Sequence, residues 1–269
     1  DDDDDASVVI NNNRRRGFLW SRITGDGTQY EFPIRQMPFR KEWSSEKMEF
    51  DTKSDFSRID YYNDGIFYTV PRLVYHIDEK AVSSLTQYYR RSIPPKSDIL
   101  DICSSWVSHY PTEFPTTMNS IAATGMNYVE LACNDQLTAG YKIFDWNEEI
   151  KKYQKQQQNT NNNLLSFYDD ASFDIITCCC SLDYLTDPII ALRECHRLLR
   201  PGGKIIISFS NRCFGTKAIK VWRNMRTPGQ IELVNGFLQY ASDDYSNITS
   251  YDITAQNPTK NNEDVSLLD

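Results

Sequence analysis

Short apolar runs alternate with amphipathic segments through the middle of the chain. The runs cover residues 98–103, 121–127, 141–145, 172–181 and 205–208. Apolar runs of this length, bounded by polar residues, indicate buried strands, and the segments between them indicate helices. Strands that alternate with helices predict an α/β fold, whose mainly parallel sheet is flanked by helices.

Three successive strands of this pattern end in polar side chains. Asp101 lies near the end of the first strand, Asn127 ends the second and Asp145 ends the third. Ligands of open parallel sheets bind in the crevice beyond the carboxyl ends of the strands. We therefore expect these three side chains to line one cleft.

Apolar residues at helical spacing mark segments on both sides of the strands. They run through residues 57–91 and stop before Pro94, because the residue preceding a proline disfavours the helical conformation. Further helices are predicted over residues 187–199 and 216–223.

Composition shifts divide the chain into four parts. Residues 1–16 predict an acidic disordered tail, residues 17–93 an N-terminal arm and a helical lid, and residues 94–254 a core domain. Within the core, residues 153–163 are polar and of low complexity, which predicts a mobile inserted loop. Residues 255–269 form a polar tail.

The last predicted strand lacks an evident partner. Residues 246–254 fit one strand, but the polar tail after them offers no second one. The sequence therefore leaves open whether the C-terminal strand pair of the sheet is complete.

The formal charge of −8 is concentrated at the two ends of the chain. Five aspartates and three arginines give residues 1–16 a charge of −2, and six acids and one lysine give residues 240–269 a charge of −5. The part between carries about −1, which provides no basic field and predicts no nucleic-acid partner.

The seven cysteines, three of them consecutive at 178–180, do not form the framework of a secreted disulfide protein. No paired CxxC motif occurs, and the three histidines are isolated, so no metal site is predicted. The sequence has no apolar run long enough to span a bilayer. We expect an intracellular protein of the cytoplasm or a plastid, not secreted, with no membrane partner and an oligomeric state that the sequence leaves unknown.

The order of motifs resembles that of the class I S-adenosylmethionine-dependent methyltransferases, specifically the type 11 group. The resemblance covers roughly residues 94–211 and rests on 100–101, 124–127, Asp145, 172–174 and 194–204. It implies a Rossmann-like fold and S-adenosyl-L-methionine as cofactor. The loop over residues 104–109, together with residues 67–78, resembles a plant- and alga-type subgroup of this family.

The resemblance also implies cofactor contacts. Asp101 would orient the methionine end of the cofactor through the loop that follows the first strand. Asn127 stands where the family usually has an acid that binds the ribose. Asp145 would accept a hydrogen bond from the amino group of adenine, and Trp146 could stack on the adenine ring. The full set of predicted cofactor contacts is Asp101, Cys103, Ser104, Ser105, Trp106, Asn127, Asp145, Trp146, Cys180 and Ser181.

The loop after the first strand departs from the family pattern because Cys103, Ser104 and Ser105 replace its glycines. Two hypotheses follow: an active methyltransferase acting on a small molecule, or a methyltransferase-like binding or scaffolding domain without turnover. A nicotinamide oxidoreductase is disfavoured because no GxGxxG motif follows any strand.

Residues on the helical lid and on loops beyond the strand ends are the candidates for substrate binding. They are Tyr68, Arg72, Tyr184, Asn211 and Arg212. The two arginines suit carboxylates, one belonging to the cofactor and one to a small acidic acceptor. His109 is either a catalytic base that titrates near neutral pH or a hydrogen-bond donor that fixes its loop.

Overall fold

The computed structural model describes residues 8–11, 21–23, 29–44, 47–156 and 163–256. The strands in this part of the chain are β1 (Val8–Asn11), β2 (Ser21–Ile23), β3 (Gln29–Glu31), β4 (Arg35–Met37), β5 (Asp98–Ile102), β6 (Ser120–Gly125), β7 (Tyr141–Ile143), β8 (Phe173–Cys179), β9 (Leu199–Phe209) and β10 (Thr249–Asp252). The helices are α1 (Thr52–Asp55), α2 (Asp64–Phe67), α3 (Glu79–Ser92), α4 (Phe114–Thr117), α5 (Tyr128–Ala132), α6 (Trp146–Gln156), α7 (Pro188–Leu198), α8 (Lys220–Arg223) and α9 (Thr227–Ala241).

Eight strands form one sheet in the order β4-β10-β1-β9-β8-β5-β6-β7. The five strands from β9 to β7 in this order are mutually parallel and come from the core domain. The prediction of a Rossmann-like α/β fold with a mainly parallel sheet is confirmed. Strands β2 and β3 pair separately as a two-stranded antiparallel ribbon.

The antiparallel edge of the sheet is built from both ends of the described chain. β1 pairs antiparallel with β9 on one side and with β10 on the other, and β4 pairs with β10. The partner that the C-terminal region lacks is therefore supplied by residues 8–11. Residues 8–11 of the predicted disordered tail form β1, whereas residues 1–7 and 12–16 lie outside the described part.

Side chains from alternate positions of the strands fill two cores, one on each face of the sheet. On β5, Ile99 packs in the core that includes Leu85 of α3, while Leu100 and Ile102 pack in the core that includes α7 and α9. Helices cover both faces, as a parallel sheet requires, because its strands are apolar on both sides. Asp101 lies among these buried positions at the end of β5.

The lid segment, residues 57–78, is mostly irregular. The predicted helical pattern over residues 57–91 is realised in α2 and α3, whereas residues 68–78 form no helix. Pro71 cannot donate a hydrogen bond within a helix. Backbone groups of the segment bond instead to core side chains, which satisfies them without secondary structure.

Two other boundaries differ from the sequence predictions. α6 extends through Gln156, so the first part of the loop predicted over residues 153–163 is helical, and residues 157–162 lie outside the described part. Gln256 of the predicted polar tail pairs with Glu31, and residues 257–269 lie outside the described part of the chain. α7 begins at Pro188 as predicted, with the Asp187 side chain accepting from the Ile190 N–H at 3.1 Å.

None of the helices in the described part of the chain combines the length and the apolar character that a membrane span requires.

Candidate cofactor and acceptor cavity

A cavity of about 260 Å³ lies beyond the carboxyl ends of the parallel strands and beneath the lid segment. The ends of β5, β6 and β8 and the residues after β7 contribute to its wall. All of the site residues predicted from the sequence line it except Asn127 and Asn211. The structure thus brings most of the predicted residues together, and their individual roles remain predictions.

Asp101 anchors the loop that follows β5. Its carboxylate accepts hydrogen bonds from the hydroxyls of Ser104 at 2.6 Å and Thr177 at 2.8 Å. Burial raises the pKa of Asp101, while hydrogen bonds from Ser104, Ser108 and Thr177 act in the opposite direction. The carboxylate therefore ties the loop after β5 to the neighbouring strand β8.

The loop adopts a glycine-like conformation without glycine. Cys103 has a φ of 54°, in the left-handed region that side chains disfavour, and Cys180 at the end of β8 has a φ of 48°. The glycine at this place lies on the adjacent strand: a Cβ at Gly125 would collide with the backbone oxygen of Ser104. The Ser104 N–H donates to the Thr124 carbonyl at 2.7 Å, which fixes this close approach.

The side chain of Asn127 joins the start of α5 to the lid segment. Its Oδ1 accepts from the N–H groups of Val129 and Glu130, which caps α5, and its Nδ2 donates to the carbonyls of Tyr68 and Thr69. Asn127 is buried and does not line the cavity. In this structure Asn127 caps α5 and holds the lid segment, and its predicted contact with the cofactor stays a prediction.

Glu130, three residues after Asn127, lines the cavity and was not predicted as a site residue from the sequence. Its side chain accepts from the Arg72 N–H at 2.7 Å and from the Ser105 hydroxyl at 2.6 Å. The pair Asn127 and Glu130 has the spacing of an N-cap and the third residue of a helix, a pattern that indicates a helix start. That local signal explains why the sequence does not single out Glu130 as a cavity residue.

Asp145 and Trp146 stand at the start of α6. Asp145 accepts from the Glu148 N–H at 3.1 Å, and its half-buried position raises the pKa of its carboxyl group. Trp146 is buried, donates from its indole N–H to the Thr124 hydroxyl at 3.3 Å and packs edge-on against Phe144. Both residues line the cavity, so they form one end of it.

His109 lines the cavity as a neutral imidazole at pH 7. Burial, with the nearby His76, lowers its pKa to about 4. Its Nδ1 has no hydrogen-bond partner among the described residues, and its ring packs against Tyr75. A base that titrates near neutral pH does not fit this burial, whereas an uncharged hydrogen-bonding group does.

Arg72 and a group of aromatic rings form the lid side of the cavity. The guanidinium lies 4.3 Å from the Phe67 ring centre, and Nη2 donates to the Phe67 carbonyl at 3.0 Å. Nη1 is buried without a partner in the described part of the chain. The Tyr184 hydroxyl accepts from the Phe214 N–H at 2.8 Å, which fixes the loop after β9 over the same space.

Arg212 lines the cavity from an exposed position on the loop after β9. Its exposed neighbour Asn211 does not line the cavity, and its predicted contact with substrate stays a prediction. The lid itself is anchored by a buried ion network that the sequence did not indicate. Asp64 accepts from Arg58 at 2.9 and 3.0 Å and from Lys217 at 2.9 Å. Burial works against ionisation of Asp64, but the hydrogen bonds from its partners outweigh it, and the pKa of Asp64 is lowered.

Part of the cavity wall, including Gly125, Asp145 and Cys180, lies in the range that matches a known family model. Residues 123–207 match the family described as a methyltransferase domain. The ubiquinone biosynthesis O-methyltransferase of Pseudomonas aeruginosa is 45% identical over 40 residues, which is 15% of this chain and 17% of that protein. The protein of the same name from Xanthomonas oryzae is 44% identical over 50 residues, or 19% and 21% of the two chains. The chain thus spans about a fifth of the length of these curated relatives.

Solved structures resemble the chain at low identity. A crystal structure of an S-adenosylmethionine-dependent methyltransferase from Mesorhizobium loti is 14% identical, with a TM-score of 0.38 over 64% of this chain and 98% of that one. The cyclase SpnF is 16% identical, with a TM-score of 0.39 over 70% of this chain and 87% of the other.

Proposed function

We propose that this protein is an S-adenosylmethionine-dependent methyltransferase that acts on a small-molecule acceptor. The observation that carries the proposal is the cavity beyond the strand ends, which is lined by Asp101 and Asp145 of the core and by Arg72 of the lid segment. The match of residues 123–207 to the methyltransferase domain family supports it.

The residues present fit the chemical groups of this cofactor. Arg72 offers a buried guanidinium donor without a partner in the described chain, which suits the cofactor carboxylate. Asp145 can accept from an amino group of adenine beside Trp146. The loop held by Asp101 presents the Ser104 and Ser105 region to the methionine end.

The sulfonium of the cofactor supplies an activated methyl group for in-line displacement. The protein then has to bind the acceptor in line and exclude water, and positioning of this kind contributes about 7 to 11 kcal/mol. The lid segment covers the cavity, which would exclude water from the bound acceptor. An acceptor hydroxyl that gains the methyl group releases its proton to solvent, while His109, whose pKa is lowered to about 4 by burial, stays uncharged and offers a hydrogen-bonding nitrogen to the acceptor.

An oxygen acceptor on a planar ring fits best. Tyr68, Tyr184 and Phe214 line the side of the cavity with Arg72, and both curated relatives are named as O-methyltransferases. Arg212 at the rim suits an acidic group on the acceptor. We further propose that the chain belongs to the plant- and alga-type subgroup, because its loop over residues 104–109 resembles that subgroup. We also propose that the protein has no nucleic-acid partner and that its location is intracellular.

Calorimetric titration with S-adenosylmethionine and S-adenosylhomocysteine tests the proposal. We expect dissociation constants in the micromolar range, followed by methyl transfer to members of a panel of small phenols, thiols, amines and carboxylates. Absence of binding would overturn the cofactor assignment. Binding without transfer to any acceptor would favour the alternative, a methyltransferase-like binding domain without turnover.

A further inference from the structure

Cysteine thiols are concentrated at the cavity. All seven cysteines of the chain are free, and four of them line its wall: Cys103, Cys179, Cys180 and Cys213. Cys103 follows directly on β5 and begins the loop that the proposed function assigns to the methionine end of the cofactor. No step of the proposed methyl transfer uses a thiol, so this accumulation calls for a separate explanation.

A second thiol, that of Cys178, lies beside Cys103 on the neighbouring strand β8. Ile102 is the register partner of Cys178, so Cys103 stands one residue beyond it. Neighbouring strands lie about 4.8 Å apart and each residue advances about 3.3 Å, which puts the two Cα atoms roughly 6 Å apart. Most disulfides have a Cα separation close to this value. The two thiols also share a hydrogen bond.

The packing of the sheet separates this pair from the other cysteines near the cavity. Cys178 is buried in the core that includes α7 and α9, and Cys103 packs against the same core. Cys179 and Cys180 pack against the core on the opposite face. Cys195 of α7 is buried in the first core, but it belongs to a helix and not to the strand beside Cys103. Cys178 is therefore the partner that the fold offers to Cys103.

We propose that Cys103 and Cys178 form a modification site, at which a peroxide produces a reversible disulfide that alters the loop after β5. Cys103 reacts first, because it lines the cavity whereas Cys178 is fully buried. The hydrogen bond with Cys103 and burial raise the pKa of the Cys178 thiol, which keeps that thiol protonated.

The reaction takes place in two steps. In the first, the O–O bond of hydrogen peroxide breaks, the Cys103 sulfur gains one oxygen as a sulfenic acid, and the other oxygen leaves as water. In the second, the Cys178 sulfur attacks the Cys103 sulfur, the S–O bond breaks, and the departing hydroxide takes the Cys178 proton and leaves as water. Two thiols are oxidised to one disulfide, and one peroxide is reduced to two waters.

The disulfide would displace the start of the loop. A covalent S–S bond of about 2.05 Å is much shorter than a hydrogen bond between two thiols, so it pulls Cys103 toward β8. The next residue, Ser104, bonds to Asp101 at 2.6 Å and to the Thr124 carbonyl at 2.7 Å, and both bonds are disturbed by this pull. The effect on cofactor binding rests on the proposed function, whereas formation of the disulfide does not.

Peptide mass spectrometry of the full chain after treatment with hydrogen peroxide tests the pair. We expect the tryptic peptides 97–142 and 156–193 to be joined, with fragmentation placing the bond between Cys103 and Cys178. Dithiothreitol should release the two peptides. Trypsin cuts after Arg193, so a bond to Cys195 would appear on a different peptide. No bond, or a bond of Cys103 to any other cysteine, would overturn the proposal.

Cys178→Ala and Cys195→Ala are matched variants, because each removes a fully buried thiol from the same core. Cys195→Ala should form the disulfide as the wild type does. Cys178→Ala should form no cross-link and should instead accumulate added oxygen on Cys103. A cross-link of Cys103 that persists in Cys178→Ala, or that disappears in Cys195→Ala, would contradict the assignment of Cys178.

Calorimetry with S-adenosylhomocysteine measures the consequence for the cavity. The peroxide-treated wild type should bind this ligand about tenfold more weakly than the reduced protein, and dithiothreitol should restore the binding. Equal affinity of the reduced and the cross-linked protein would overturn the effect on the loop. A reduced wild type that does not bind the ligand would overturn the proposed function, whereas the disulfide found by mass spectrometry would still stand.

Discussion

Close backbone contact at Gly125 allows the loop after β5 to work without glycines of its own. A Cβ placed at Gly125 would collide with the Ser104 backbone oxygen and would lie 3.1 Å from the methyl groups of Leu131. The steric space that a glycine-rich loop would provide is thus supplied from the neighbouring strand β6.

Replacement of Gly125 by alanine should lower the free energy of unfolding. The added Cβ forces the Ser104 backbone and Leu131 to move, at a cost of about 1 to 3 kcal/mol. Urea denaturation measures the change. Gly215→Ala is the control, because nothing lies within 4 Å of its Cβ position. Equal stability of the two variants would contradict the close contact.

The buried Asp183 predicts that the free energy of unfolding depends on pH. It is buried without a partner for Oδ2 in the described chain, and burial raises its pKa from 3.8 to about 7. The folded state therefore holds this proton more tightly than the unfolded state does. The stabilisation from protonation is fully present below about pH 4 and is lost as the pH rises through about 7.

Asp183→Asn should remove this loss. At pH 8 we expect the variant to exceed the wild type in unfolding free energy by on the order of 3 kcal/mol, and the gap should close toward pH 4. Denaturation at several pH values measures it, with the exposed Asp169→Asn as control. A wild-type pH slope in Asp183→Asn would contradict the assignment.

At the scale of elements, the lid is held by charges that have been removed from water. Lys217 is 1% exposed and bonds to Asp64 and to the Tyr62 carbonyl, and Arg58 bonds to both oxygens of Asp64. Asn147 of α6 also donates to Asp64 at 2.7 Å, which links the lid to the core. The short helix α2 therefore depends on this network more than on its own length.

Asp64→Ala should destabilise the protein by about 3 to 5 kcal/mol, because it leaves the buried Arg58 without its carboxylate and leaves Lys217 with only the carboxylate of Asp60, at 3.1 Å. Urea denaturation gives the loss, and hydrogen exchange should increase over residues 57–78. Glu149→Ala, which removes the exposed pair with Lys152, should cost under about 1 kcal/mol. Similar losses in both variants would contradict a special role for the buried network.

At the scale of the molecule, β1 closes the sheet between β9 and β10. Removal of residues 1–11 should expose the edge of β9 and detach β10 and β4, which lowers stability and promotes aggregation. Removal of residues 1–7 alone keeps β1 and serves as the control. Thermal unfolding and light scattering of the two truncated proteins measure the difference; matching curves would show that β1 is dispensable.

The parallel part of the sheet was predictable because each strand is encoded by its own apolar run, as at Ile99 and Leu100. The pairing of β1 could not be predicted, because it joins Val8 to Asp252 and no local sequence pattern connects these two residues. The cavity followed from polar residues at strand ends. The separate roles of Asn127 and Glu130 could not be predicted from the sequence, because they depend on carbonyl groups and an N–H group of the lid segment, more than fifty residues away.

The central place of β1 also sets the order in which the sheet can form. During synthesis Val8–Asn11 emerges well before its partners β9 and β10, which lie far along the chain from it. Contacts over such a separation form slowly, because loop closure precedes any gain from pairing. We therefore expect the five parallel strands to pair before β1 does, so that the insertion of β1 between β9 and β10 comes late in folding.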